Sequence, residues 1–273
     1  MTRYCLDDLR YLMRRLRDPE TGCPWDLKQN YATIVNYTLE EVYEVVETIE
    51  QQNYIELAKE LGDLLFQVVF YTQLAEEDGY FEFSDVIHNI THKLVMRHPH
   101  VFPDGTLRSR RDPNQPQQES AIKETWEALK RQERAAVGNV GILDDVPLAL
   151  PSLVRAQKLQ KRAASVGFDW PDVDGVWQKL AEESGELQEA VASGDRDHIA
   201  EEAGDLLFVL VNLVRKLGLD AEHVLRMANT KFSDRFRQME ADASQDGTSL
   251  EQLTLDQLEQ LWQRAKRSNA AAR

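Results

Sequence analysis

Apolar residues recur every three or four positions along most of the chain, and alternating β-branched runs are scarce. That periodicity predicts amphipathic helices rather than strands. The periodic segments cover residues 37–51, 54–77, 85–97, 120–136, 152–165, 173–192, 196–217, 220–242 and 250–267. Gly79 and Ser84 flank one break, residues 103–116 (PDGTLRSRRDPNQP) read as a polar loop, and residues 138–151, with Pro147 and Pro151, read as a connector. The pattern predicts an all-α fold. The connector is the expected border between two domains, 1–140 and 141–273. The tail SNAAAR is expected to fray.

The helical pattern repeats. Glu40-Glu41-x-x-Glu44 returns as Glu182-Glu183-x-x-Glu186, and Glu60-x-x-Asp63-Leu-Leu-Phe66 returns as Glu202-x-x-Asp205-Leu-Leu-Phe208, both 142 residues later. Lys93-x-x-x-Arg97 pairs with Lys231-x-x-x-Arg235 at 138, and Trp126-x-x-x-Lys130 pairs with Trp262-x-x-x-Lys266 at 136. The chain therefore reads as two copies of one helical unit, with small deletions in the second.

Glu41 and Glu44 stand three apart and share a helix face, as do Glu60 and Asp63. If the two helices form an antiparallel hairpin, facing residues are equidistant from the turn. Glu41 and Asp63 are equidistant from Gln52, and so are Glu44 and Glu60. Glu183 and Asp205 are equidistant from Gly194, and so are Glu186 and Glu202. Gln51-Gln52-Asn53 and Ser193-Gly194-Asp195 are credible turns. Each hairpin then gathers four carboxylates. Two charges ~6 Å apart cost on the order of 2–3 kcal/mol at an effective dielectric of about 20, so the cluster needs a cation, protonation or full solvation. A lone Glu-x-x-Glu is commonly a solvated face, but such a face has no reason to keep the register of four acids twice. All-oxygen ligands favour Mg²⁺, with Mn²⁺ as a substitute. Gly62 and Gly204, each inside the second acidic pair, cost roughly 1 kcal/mol in a helix interior and leave room for a metal, a ligand or another helix.

Composition narrows the partners. The 273 residues carry 32 Lys+Arg and 47 Asp+Glu, a net charge of −15, with a pI near 4.9. Acidity of this order argues against non-specific nucleic-acid binding and against a polybasic membrane anchor. Hydrophobic residues at 42% and charged residues at 29% describe a globular chain of about two domains. The most apolar stretch, 206–214, is too short to span a bilayer and contains Asn212. The N-terminal MTRYCLDDLRYLMRRLRD has no continuous apolar core, so it does not read as a signal peptide. Two cysteines, Cys5 and Cys23, make no disulfide framework, and a reducing cytoplasm is the expected compartment.

Cations stand near the second acidic set. Lys179 precedes Glu183 by one turn, and Lys231 and Arg235 are four apart on the following helix. Lys and Arg beside a carboxylate–metal site suit a polyphosphate, although such pairs also occur as surface ion pairs. Trp262 is placed either to stack on a base or to pack in a core or dimer interface. The first copy has Tyr37 where the second has Lys179. Other chemistries are weaker. His88 and His92 are four apart, and His98 and His100 follow, but no HExxH motif accompanies them. No Gly is followed by Lys, so there is no Walker A loop, and neither cysteine stands in a nucleophile motif.

The duplicated acidic pattern, together with Cys23-Pro24-Trp25-Asp26-x-x-Gln29, Arg97-His98-Pro99-His100-Val101-Phe102, and Lys158-Leu-Gln-Lys161-Arg162 before Val166-Gly167-Phe168-Asp169-Trp170, resembles the MazG-type nucleoside triphosphate pyrophosphohydrolases over nearly the whole chain. The resemblance implies an all-α fold built on a duplicated four-helix-type unit, a homodimer, and Mg²⁺-dependent hydrolysis of NTPs and dNTPs between the α and β phosphates. Carried over, Glu183, Glu186, Glu202 and Asp205 hold metal, with Glu41, Glu44, Glu60 and Asp63 as the first copy's set. Lys179, Glu182, Glu201, Lys231, Arg235 and Trp262 contact nucleotide, and Glu182 or Glu183 takes the proton from the attacking water. Tyr37 makes the second copy the expected main catalytic site. The competing expectation is a non-catalytic, metal-dependent nucleotide-binding module. A di-iron bundle expects Glu-x-x-His pairs, which these acidic pairs lack.

Overall fold

A computed structural model describes residues 3–114, 118–136 and 141–271. Residues 115–116 of the polar loop, 138–140 of the connector and the last two of the tail lie outside the described residues. The chain divides into two compact units, 1–130 and 131–273. Among the described residues every regular element is helical: α1 (Leu6–Leu16), α2 (Pro24–Lys28), α3 (Tyr31–Glu50), α4 (Tyr54–Glu77), α5 (Phe83–Arg97), α6 (Glu119–Ala136), α7 (Ser152–Ala164), α8 (Val173–Ser193), α9 (Arg196–Lys216), α10 (Ala221–Gln245), a 3-10 turn (Leu250–Gln252) and α11 (Leu255–Ala271). The fold is all-α, as the periodicity predicts. Among the described residues no helix is long and apolar enough to cross a membrane.

The repeat reappears in the elements. Helices α3 and α8 start 142 residues apart, at Tyr31 and Val173, and α4 and α9 also start 142 apart, at Tyr54 and Arg196. The starts of α5 and α10 differ by 138, and those of α6 and α11 by 136. Helix α1 packs on α4 as α7 packs on α9, so the duplication also includes the helix before each hairpin. The periodic segments above omit α1, although Leu6, Leu9, Met13 and Leu16 stand at helical spacing. Interleaved arginines mask that stripe. Met13 is nevertheless fully buried, and Asp7, Asp8 and Arg14, Arg15 complement the helix dipole at the two ends.

Capping explains another shift. Helix α3 starts at Tyr31, six residues before the predicted segment, because the Asn30 side chain accepts hydrogen bonds from the amides of Ala32 and Thr33. Asp172, Asp195 and Asp220 cap α8, α9 and α10 in the same way. Both hairpins turn where the symmetry of their acidic residues places the turn. Gly194 is left-handed at φ 75°, and Gln52, its counterpart 142 residues earlier, is left-handed at φ 56°.

In the first unit, Met13, Ile34, Val69, Phe70, Leu74 and Phe83 form the core. Arg17 closes it on one side. It makes a two-pronged ion pair with Glu77, donates to the Asp26 carbonyl, and lies 5.5 Å from the Phe70 ring. In the second unit, Val176, Val209 and Leu213 lock α8 to α9, and Met239, Ala243, Leu261 and Ala265 lock α10 to α11. Each hairpin thus presents a fixed acidic face.

Candidate active site

In the second unit, carboxylate oxygens of Glu183, Glu186 and Glu202 lie within 4.8 Å of one another. Glu183 and Glu186 come from α8 and Glu202 from α9, one turn apart and across the hairpin as the register demands. Asp205, expected in the same set, is exposed and stands outside this trio. The Glu183 side chain is only 6% exposed and Glu202 14%. Burial and the surrounding carboxylates raise the Glu186 carboxyl, while Lys179 pulls it down.

Two neighbours already engage this cluster. Lys179 Nζ lies 2.6 Å from Glu183 Oε1 and 2.8 Å from Glu182 Oε1. These hydrogen bonds hold the Lys179 ammonium well above the usual lysine value. His198 Nε2 lies 3.2 Å from Glu202 Oε1. Sequence reasoning missed His198, although its position four residues before Glu202 on α9 was the signal that could have found it.

The first unit gathers a different trio, Glu41, Glu60 and Asp63, with oxygens again within 4.8 Å of one another. Glu44 stands outside the trio but beside Glu60, whose carboxyl its charge helps to raise. Burial comes first in raising the Glu41 carboxyl, followed by repulsion from Asp63, Glu44 and Glu60, and Glu60 is raised for the same kinds of reason. Among the described residues no ion pair reaches these three carboxylates. The adjacent Lys59 is turned to Glu56, at 2.7 Å. Tyr37, where the second copy has Lys179, packs edge-on against Trp25 at 5.8 Å. Each trio offers only hard oxygen donors, a set that fits Mg²⁺ or Mn²⁺.

The other residues implicated by the resemblance fall into two groups. Arg235 and Trp262 come together, with the guanidinium 5.6 Å from the ring centroid, and Phe232 tilts against the same ring at 5.3 Å. Trp262, Phe232, Phe236, Met239 and Leu258 line a groove of about 730 Å³. Lys231 and Glu201 are exposed. Among the described residues none of Lys231, Arg235 and Trp262 is hydrogen-bonded to the carboxylate trio. The first unit keeps the same stack, with Arg97 6.0 Å from Trp126, but there Trp126 is also covered by His98, edge-on at 4.8 Å, and by Lys130 at 5.2 Å. His88 and His92 stack at 5.9 Å, and among the described residues no histidine joins a metal-holding group.

The motif Val166–Trp170 acts through its Asp169. Arg215 and Lys216 bind that carboxylate at 2.6 and 2.8 Å, and Lys216 also donates to the Trp170 carbonyl. This knot ties the segment before α8 to the end of α9, and it holds the hairpin from the side opposite its turn.

The MazG nucleotide pyrophosphohydrolase domain matches residues 29–102 and 174–239. These segments contain both carboxylate trios, Lys179, Lys231 and Arg235. The nucleoside triphosphate pyrophosphohydrolase of Escherichia coli K12 is 47% identical over 266 residues, 96% of this chain and 97% of that protein. The nucleoside triphosphate pyrophosphohydrolase/pyrophosphatase MazG of Thermotoga maritima is 42% identical over 260 residues, 95% of each. The nucleoside triphosphate pyrophosphohydrolase of Mycolicibacterium smegmatis is 34% identical over 165 residues, 60% of this chain and 47% of its own length. With two domain matches, one on each acidic hairpin, and collinear similarity along its length, the chain belongs to the MazG nucleotide pyrophosphohydrolase family.

Proposed function

We propose that this protein hydrolyses nucleoside triphosphates, ribo and deoxy, between the α and β phosphates with Mg²⁺, and that the second copy is the main catalytic site. The observation that carries this reading is the buried Glu183 gathered with Glu186 and Glu202 beside Lys179. The collinear similarity to named triphosphate pyrophosphohydrolases supports the substrate class. Glu183, Glu186 and Glu202 would hold the metal, with Asp205 turning in from α9. When bound, the metal supplies positive charge against phosphate oxygens and acidifies nearby water. Glu182, 56% exposed, would face substrate once Lys179 releases it, and would accept the proton of the attacking water. Water oxygen bonds to the α phosphorus, the bridge to the β phosphate breaks, and pyrophosphate leaves toward Lys231 and Arg235. Trp262 offers its face to the base from the α10–α11 groove, and Glu201 borders the nucleotide from α9.

The first copy supports a second role. It keeps a carboxylate trio but has Tyr37 in place of Lys179 and a covered Trp126, which suits metal binding without turnover. The sequence border between the two copies would fall between residues 140 and 141. Val35, Leu39 and Val42 on α3 and Leu61, Leu65 and Val68 on α4 are exposed apolar residues, the kind of surface a second copy covers, and we assign the protein as a homodimer in the cytoplasm. Products from a panel of NTPs and dNTPs with Mg²⁺ test the reading. Monophosphate and pyrophosphate are expected from wild type and Glu41→Ala and are lost in Glu183→Ala. Nucleotide binding with no pyrophosphate released from any nucleotide would replace the enzyme with a binding module. Light scattering tests the dimer, and a monomer mass refutes it.

A further inference from the structure

We infer that Lys179 is a tethered counter-ion which the second-copy carboxylates surrender to substrate, so that this copy takes up metal only together with nucleotide, whereas the first copy takes up metal alone. The inference rests on the proposed metal ligands and concerns what fills their place before substrate arrives. Lys179 Nζ sits 2.6 Å from Glu183 Oε1, and that carboxylate also belongs to the close trio with Glu186 and Glu202. An ammonium at that distance occupies one side of an oxygen that a metal would need, and its charge repels an arriving cation. Glu183 is nearly buried and cannot turn into water, so its charge has to be met by exchange of one cation for another. Lys179 is suited to that exchange. Its side chain is one-third exposed, it is shared between Glu183 and the solvent-facing Glu182, and its four-carbon stem lets the charge swing by several ångströms. A triphosphate arriving beside α8 offers Lys179 a denser negative charge than either carboxylate, and releasing the bond to Glu183 Oε1 opens that oxygen to a metal.

The first copy provides the internal control. Position 37 is Tyr, a neutral residue engaged with Trp25, and no cation is paired with Glu41, Glu60 or Asp63 among the described residues. Nothing there has to leave before a metal enters. The Lys-to-Tyr difference at equivalent positions therefore separates the two carboxylate trios into a nucleotide-coupled and an uncoupled one.

Mn²⁺ titration of the full chain, read as loss of the free-ion paramagnetic resonance signal, tests this with and without an α,β-methylene triphosphate. In wild type without nucleotide, the tight sites are expected to disappear in Glu41→Gln and to persist in Glu183→Gln. The analogue is expected to add sites that disappear in Glu183→Gln. Lys179→Met is expected to bind Mn²⁺ at the Glu183-dependent sites without nucleotide, about tenfold or more tighter than wild type, and to gain little from the analogue. Lys179→Arg keeps the charge and is expected to keep the coupling, which separates the exchange from a mere change of packing. Glu183-dependent sites that fill equally in wild type and Lys179→Met without nucleotide would overturn the exchange while leaving the ligands in place. Mn²⁺ sites that depend on neither Glu41 nor Glu183, even with the analogue, would overturn the ligand assignment and this inference with it.

Discussion

The uncompensated first-copy trio makes a quantitative prediction: Glu41→Gln should stabilise the metal-free protein and remove its response to Mg²⁺. Glu41 and Asp63 hold oxygens no more than 4.8 Å apart. At that distance two charges repel by about 3.5 kcal/mol at a dielectric of 20 and about 0.9 kcal/mol in bulk water. Glu41 is half-buried and Asp63 exposed, so the lower figure governs, and about 1 kcal/mol is the gain from neutralising Glu41. For a chain of this size that is roughly 2–4 °C in melting temperature. Magnesium acts in the opposite sense, because a ligand held only by the folded state at a hundredfold its Kd adds about 2.7 kcal/mol. Thermal unfolding should therefore cross over. In EDTA the variant melts above wild type, and in saturating Mg²⁺ it melts below. A variant that melts lower in both, or gains as much from Mg²⁺ as wild type, would refute the account of this trio as a strained metal site.

The same carboxylates set a pH dependence. Glu41 and Glu60 are raised in the fold, so their destabilisation is absent below the ordinary value of 4.5 and grows as pH rises through their folded values. Melting in EDTA should fall above pH 4.5, and Mg²⁺ should flatten that fall. Burial opposes ionisation of Asp169, but Arg215 and Lys216 outweigh it and hold its carboxyl below the usual 3.8. Its contribution is present above 3.8 and is lost as pH falls through the depressed value. Asp169→Asn leaves two partly buried cations short of a partner and should cost about 1–2 kcal/mol by denaturant titration. Gln52→Gly should stabilise by about 0.5–1 kcal/mol, and Gly194→Gln should cost about 1–2 kcal/mol, because both positions are left-handed; equal effects of either sign would refute the turn argument. At Gly204 an added Cβ meets nothing within 4 Å. Gly204→Ala should raise stability by about 1 kcal/mol while lowering turnover, because the open face is where substrate or a second copy comes close. Unchanged turnover would assign that glycine no such role.

The hairpins were legible in the sequence because a helix hairpin has one free parameter, its turn, and the spacing of four acids determines it. Gln52 and Gly194 both lie where that spacing puts them. Helix existence was equally legible wherever an apolar stripe was uninterrupted. What escaped depended on side chains acting across the chain or at helix ends. The start of α3 depends on a cap by Asn30, and α1 is held by Met13 in a core built mainly from α4. The trios also departed from strict fourfold symmetry. Asp205 and Glu44 stand outside them because the hairpin register fixes which backbone positions face each other but leaves each exposed carboxylate several rotamers. Lys179 draws Glu183 in the second copy, and in the first no cation does.

That choice bears on why a duplicated site keeps one copy so different. A carboxylate trio that folds without metal has to balance its own repulsion, and the two trios among the described residues do so differently. The first copy leaves the charges to solvent, with the Glu41 and Glu60 carboxyls raised by burial and mutual repulsion, which costs stability but keeps the metal position accessible. The second copy supplies an internal ammonium, which allows Glu183 to be buried, where charge acts more strongly on a transition state. The buried Glu183 suits the proposed catalytic role, but its tethered cation must leave before a metal can enter, and substrate phosphate is the group able to draw it away. Exchanging the two residues, Lys179→Tyr with Tyr37→Lys, should therefore exchange the metal behaviour of the copies. Mn²⁺ would bind the second copy without nucleotide, and the first would require it. If the double variant retained the wild-type order, the difference between the copies would lie in the surrounding packing rather than in this one charge.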